Sequence, residues 1–235
     1  AGVVDMVASD FDAAALRDLG VLNAGANTLQ LLFGDAGGFV AGPTANVAAT
    51  IDDAVASGSL NPGGDAFADI MGVGPMGYDA WATDGLGTGF IGEIANAFGA
   101  GGTFAKVVTG DIDEDGDDDV VGIDTTGDAL IVGLSTGGPA TFAFAAPLGV
   151  GTDPSDLALA DLDGDGDLDA VISNATSNDI TVLAWNAGAY AVAYTLATGT
   201  TPSGIAVAQL DADGVPDIVV SNAGSDTVTI FLSDP

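Results

Sequence analysis

One segment recurs five times along the 235 residues, and its period constrains the fold more than any other feature. LALADLDGDGDLDAVISNATSNDITVLA (157–184) aligns without a gap to IAVAQLDADGVPDIVVSNAGSDTVTIFL (205–232). MVASDFDAAALRDLGVLNAGANTLQLLF (6–33) has the same length and layout. KVVTGDIDEDGDDDVVGIDTTGDALIVGL (106–134) follows with minor slips, and AVASGSLNPGGDAFADIMGVG (54–74) is the weakest copy. Each copy closes its acidic loop with Asp, at Asp18, Asp69, Asp119, Asp169 and Asp217, so the intervals are 51, 50, 50 and 48 residues. A steady period near fifty marks a propeller or an array of stacked units.

Within a copy the period is two. Short runs rich in Val, Ile and Thr flank the acidic loop, and Gly, Asn, Asp and Pro bound them. That pattern predicts short antiparallel strands, four per copy. Residues 13–19 and 91–98 carry a weak helical pattern, but both align with loop or strand elsewhere. A lone four-stranded sheet cannot bury both faces, so the sheets must stack around an axis. The expected fold is all-β: a β-propeller of about five four-stranded blades in one domain over 1–235, with repeats at about 1–45, 46–100, 101–150, 151–200 and 201–235. The last copy has room for three strands. The ring is therefore expected to close imperfectly, to continue in further chain, or to take a strand from a neighbour.

The loops carry the chemistry. DIDEDGDDD (111–119) and DLDGDGDLD (161–169) place Asp at positions 1, 3, 5 and 9 and Gly at 6. Alternate side chains share a side, so three carboxylates converge, and Gly permits the sharp turn. The carbonyl of residue 7 faces the same centre, and Asp at 9 can complete an oxygen shell of the kind Ca²⁺ prefers. The candidate ligands are Asp111, Asp113, Asp115, Asp117 through its backbone, and Asp119; then Asp161, Asp163, Asp165, Asp167 through its backbone, and Asp169. A third loop offers Gln209, Asp211, Asp213, the backbone of Val215, and Asp217. The copy at 59–69 keeps Asn61, Asp65 and Asp69. The copy at 10–18 keeps Asp10, Asp12 and Asp18, but Ala14 stands at the third ligand position and Arg17 adds positive charge. An EF-hand needs Glu at position 12; Gly122 and Ile172 occupy it here, so that motif is rejected.

Composition narrows the function. The formal net charge is −32, from 34 acidic residues against Arg17 and Lys106. Two basic side chains leave no stripe for phosphates, which argues against a nucleic-acid partner. The chain has no Cys and no His, so thiolate chemistry, zinc–thiolate sites and Ser-His-Asp triads are out of reach. Oxygen ligands remain, and these select hard cations. No run of about 18 apolar residues suggests a membrane helix, and no signal-peptide pattern is visible at the start.

The D-x-D-x-D-G-x-x-D loop between apolar strands resembles the FG-GAP/VCBS repeat, as does the tail NAGANTLQLLFGDAGGF (23–39). The resemblance implies a calcium-stabilised propeller like that of integrin alpha subunits, in which the loop residues named above hold the ion. It also implies an extracellular or cell-surface protein, here taken as bacterial. The expected function is structural or adhesive, in assembly with other surface proteins or with copies of itself, and not enzymatic. The alternative is a carbohydrate-binding propeller using Tyr78, Trp81, Trp185, Tyr190 or Tyr194, although blade packing is the preferred reading of these rings. Asp79 and Asp84 beside Trp81 form the one carboxylate cluster outside the loops that an enzyme reading would start from.

Overall fold

The structure is a computed structural model. It describes residues 3–12, 16–23, 26–46, 54–58, 69–74, 77–83, 90–96, 103–137 and 141–233, with side chains in 54–96 confined to Ser57, Ile70 and Met71. Five antiparallel sheets follow one another along the chain. Sheet 1 contains β1 (Val3–Ser9), β2 (Asp18–Asn23), β3 (Thr28–Asp35) and β4 (Gly38–Asn46). Sheet 2 contains β5 (Ala54–Gly58), β6 (Asp69–Gly74), β7 (Gly77–Thr83) and β8 (Phe90–Asn96). Sheet 3 contains β9 (Phe104–Gly110), β10 (Asp119–Asp124), β11 (Ala129–Ser135), β12 (Phe142–Phe144) and β13 (Leu148–Gly149); its outer strand is split, so both β12 and β13 pair with β11. Sheet 4 contains β14 (Pro154–Ala160), β15 (Asp169–Asn174), β16 (Asp179–Asn186) and β17 (Ala189–Ala197). Sheet 5 has three strands, β18 (Pro202–Ala208), β19 (Asp217–Asn222) and β20 (Thr227–Phe231).

The first strands β1, β5, β9, β14 and β18 pack in sequence, each beside the next, as the inner strands of successive propeller blades. β1 and β18, at the two ends of that series, do not pack together as the others do among the described residues. The weak helical pattern at 91–98 is β8 as far as it is described, because pairing with β7 decides it. No helix among the described residues is long and apolar enough to cross a membrane.

Alternation along the strands builds the core between sheets. Val121, Ile123, Leu130 and Val132 of sheet 3 meet Leu157, Ile172 and Leu183 of sheet 4 in one cluster. The opposite face of sheet 4, with Val171, Ile180 and Val182, packs on Ile218 and Val220 of sheet 5. Leu22, Leu29 and Leu31 of sheet 1 meet Ile70 of sheet 2 in the same way. Sheet 4 thus carries two apolar faces, and such stacking is how a chain this acidic is still hydrophobic in nearly half of its residues.

Hydrogen bonds tie sheets together at the rim opposite the acidic loops. Asn178, in the β15–β16 hairpin, is left-handed with φ of 60°. Its carbonyl accepts from Thr198 N at 3.0 Å and its Oδ1 from Thr201 N at 2.8 Å, on the segment entering sheet 5. Asp128 does the same for sheet 4, accepting from Val150 N and Asp153 N at 2.9 and 2.7 Å. Asn and Asp tolerate this backbone region better than other side-chain-bearing residues. Replacing Asn178 by Ala should cost about 1–3 kcal/mol, from an unpaired amide plus backbone strain. Asn178→Asp should retain most of the stability, as Asp128 does in its own sheet. Urea unfolding of both variants checks this.

Candidate metal centre

Each acidic loop joins the first two strands of its sheet, so pairing of those strands holds the loop ends together. Local bonds shape the rest. In loop 161–169, Asp161 accepts from Gly164 N at 2.7 Å and Gly166 N at 3.1 Å, Asp163 from Asp165 N, and Asp165 from Asp167 N. In loop 111–119, Asp111 accepts from Gly116 N and Asp115 from Asp117 N. Loop 209–217 keeps two of these bonds, Asp213 N to Asp211 and Val215 N to Asp213. Position 6 requires glycine: φ is +96° at Gly116, +103° at Gly166 and +101° at Gly214.

These turns aim the carboxylates at one another. Oxygen atoms of Asp111, Asp113 and Asp115 lie within 4.8 Å of each other, and so do those of Asp161, Asp163 and Asp165. Charges at that range repel by about 3–4 kcal/mol per pair at an effective dielectric of about 20, before solvent screening. Asp111 Oδ1 is buried and has no hydrogen-bond partner. A buried acceptor left unpaired is costly, and a hard cation would satisfy it. The donor set is all oxygen, so it fits Ca²⁺. Asp10, Asp12 and Asp18 also converge within 4.8 Å, although position 5 of that loop is Ala14. Asn61 and Asp65 lie outside the described residues, as does the Asp69 side chain.

Position 9 has a second role that its place in the ligand pattern does not reveal. Both oxygens of Asp169 accept backbone amides, from Leu162 N at 3.0 Å and Trp185 N at 3.1 Å. Asp119 accepts from Ile112 N and Ser135 N at 2.8 and 2.7 Å. Asp217 accepts from Leu210 N and Ser233 N, and Asp18 from Phe11 N and Gly34 N. All four are buried. The partners are always seven residues before and sixteen after. One carboxylate therefore ties the loop to the end of the third strand in the four repeats whose position-9 side chain is described, with or without a full ligand set. The sequence signal was available: Asp at this position survives in all five copies.

Burial pushes the Asp119 and Asp169 carboxyls above the usual range, against the amide bonds that favour ionisation. Asp117 is also raised, by desolvation and then by Asp115, Asp111 and Asp113. Asp217 goes the other way, lowered first by its bond from Leu210 N. Trp185 and Tyr190 are buried against each other edge to face, and Tyr190 donates to Leu168 O at 2.7 Å. Burial, with the Asp169 charge behind it, raises the Tyr190 hydroxyl. These two rings belong to the packing between sheets 3 and 4, whereas Tyr194 is exposed. The Tyr78 and Trp81 rings and Asp84 lie outside the description.

The FG-GAP-like repeat profile matches residues 111–172 and 161–220, the segments that hold the two full loops. Residues 111–220 are FG-GAP-like repeats. No curated protein matches the chain in sequence. Solved structures match it in fold. A protein of unknown function from Desulfotomaculum acetoxidans aligns at TM-score 0.62 and 16% identity, over 98% of this chain and 69% of its own. The WD40 domain of SCAP from fission yeast aligns at 0.58 and 9% identity, over 99% and 52%. A Bacteroides fragilis protein, provisionally named 6-phosphogluconolactonase, aligns at 0.68 and 12% identity, over 92% and 64%. These likenesses establish a β-propeller-like fold for this all-β chain.

Two outcomes follow for the FG-GAP-like loops in chelator. Asp169→Ala should destabilise the protein by about 2–5 kcal/mol, because two buried amides lose their acceptor, while Asp163→Ala should not; thermal melts of the two variants separate tie from ligand. Asp119 and Asp169 bind protons more tightly folded than unfolded. Their contribution is present below the unfolded carboxylate range and is lost as pH rises through the raised folded values. The metal-free melting temperature should therefore fall as pH rises from about 4 toward 7, and a differential scanning series reads it.

Proposed function

We propose that this chain is a calcium-binding, extracellular β-propeller module that mediates protein–protein or cell-surface assembly, and that it is not an enzyme. The observation that carries the calcium reading is the Asp111–Asp113–Asp115 cluster with its buried, unpaired Asp111 Oδ1. In loop 111–119 the ion would be held by Asp111, Asp113, Asp115, the backbone of Asp117, and Asp119; loop 161–169 repeats the set. Loop 209–217, with Gln209 at position 1, is the weaker third site. Bound calcium would supply the positive charge that this acidic rim lacks and fix each loop between its two strands.

Location outside the cell suits such loops, since those of extracellular modules are commonly tuned to about 10⁻⁴–10⁻³ M, which extracellular calcium fills. A chain without Cys cannot brace itself with disulfides, so metal offers a substitute. The absence of His and Cys supports a non-catalytic role. The Bacteroides protein's name carries no activity to this chain at 12% identity. Glycan binding is the lesser reading, resting on exposed Tyr194.

Isothermal titration of chelator-stripped protein should show two calcium ions bound by the full loops and a weaker third. Asp113→Ala should remove one of the two. Calcium at a hundred to a thousand times Kd should add about 3–4 kcal/mol per site to stability. No heat of binding at millimolar calcium, together with an unchanged melt, would sink the proposal.

A further inference from the structure

We infer that the cleft between sheets 3 and 4 docks a basic segment of a partner protein, which seats one apolar side chain in the cleft and its flanking cations against the acidic loops. The cleft exists because the outer strand of sheet 3 is broken. β12 ends at Phe144 and β13 begins at Leu148. Pro147, which has no N–H to donate to a ladder, lies between them. In sheet 4 the corresponding strand, β17, runs nine residues without a gap. The break leaves a cavity of about 260 Å³. Trp185 and Tyr190 form one wall of it, and Leu134, Phe144 and Leu148 the other. Ala146 and Ala189 stand exposed at its mouth. Both sheets have their outer strands in place, so the cleft is a feature of this interface and of neither end of the chain.

The lining selects the anchor. None of the lining residues is charged, and the one side-chain hydroxyl, on Tyr190, already donates to Leu168 O at 2.7 Å. A sugar would find no carboxylate, amide or free hydroxyl there. The cavity is smaller than the roughly 300–1,000 Å³ of ordinary small-molecule sites, and it suits a single large side chain of the kind that anchors interfaces. The border selects the charge. Trp185 and Tyr190 are fastened to loop 161–169 through Asp169 and Leu168. The carboxylates of Asp169, Asp119 and Asp167 all bear electrostatically on the Tyr190 hydroxyl. Loop 111–119 adjoins its neighbour: a Cβ at Gly166 would lie 3.6 Å from Glu114 Oε1. The two loops together hold twelve acidic side chains, so an ion in each would still leave them strongly negative. An apolar pocket with an acidic border is complementary to an apolar anchor between cations. A second copy of this chain does not match it, because it brings only Arg17 and Lys106, and Lys106 lies on the inner strand β9.

This rests on the assembly role proposed above and deepens it by naming one surface and the chemistry of its partner. Fluorescence anisotropy tests it, on the full chain in millimolar calcium. The probe is a labelled synthetic peptide with one Phe between two Lys-rich arms. It should bind at least ~10-fold more tightly than the same peptide with Ala for Phe, and far more tightly than one with Glu for every Lys. Binding should weaken as salt rises from about 0.05 to 0.5 M. Ala146→Trp and Ala189→Trp, which fill the mouth, should each abolish the preference for Phe, with an unchanged circular dichroism spectrum. Tyr194→Ser, on the face of sheet 4 turned toward sheet 5, should leave it intact. Equal binding of the Phe and Ala peptides overturns the inference, since that is charge attraction alone. Equal binding of the Lys and Glu peptides overturns it too, as does a Phe preference that survives both plugs. Sedimentation velocity on the chain alone supplies the last arm: self-association that both plugs remove would make a second copy the occupant and overturn the basic partner. A titration without calcium binding would refute the metal reading alone, and failure of the peptide contrasts would leave that reading untouched.

Discussion

A buried carboxylate holding two backbone amides is the interaction on which sheets 1, 3, 4 and 5 depend. Asp18, Asp119, Asp169 and Asp217 each draw one amide from the loop and one from the end of the third strand. A charged acceptor makes such bonds stronger than neutral ones. The third strand therefore cannot slip in register without breaking a bond in the loop. Since a slip of one residue would turn every apolar side chain to the wrong face, this single tie protects both inter-sheet interfaces at once.

The same carboxylate explains why the acidic loops can vary. Loop 10–18 has lost the third ligand position, yet Asp18 still makes both of its bonds. Strand connection and the proposed cation binding fall to neighbouring residues. Positions 1, 3 and 5 carry the electrostatic burden, and the ions proposed for loops 111–119 and 161–169 would rest on that full set. Position 9 serves the fold in the four copies whose side chain at that position is described. Loops can thus drift in affinity while the sheets they join stay intact.

Much of this was legible in the residues. The fifty-residue period, the two-residue alternation and the glycine at position 6 specify sheets, stacking and loop geometry together, and they agree with one another. The convergence of Asp111, Asp113 and Asp115 followed from spacing alone. The double role of Asp169 was signalled only by the recurrence of Asp at its position in all five copies; its second partner, the amide at Trp185, has no signature in sequence. The burial of Trp185 and Tyr190 agrees with the preferred reading of these rings as blade packing, whereas Tyr194 is exposed. The split of the outer strand in sheet 3 into β12 and β13 was also hidden, since pairing to β11 is continuous in space but interrupted along the chain.

The left-handed hairpin residues give the molecule a direction. Asp128 and Asn178 each offer a carbonyl and a side-chain oxygen forward to the segment that begins the following unit. Asn27 and Asp226 adopt the same backbone conformation at the matching place, with φ of 50° and 52°. The third and fourth units thus come with their own clasps for the units that succeed them. Duplication of one fifty-residue stretch of gene would deliver a new sheet together with the fastening it needs, so arrays of different length can arise without redesign of the joints.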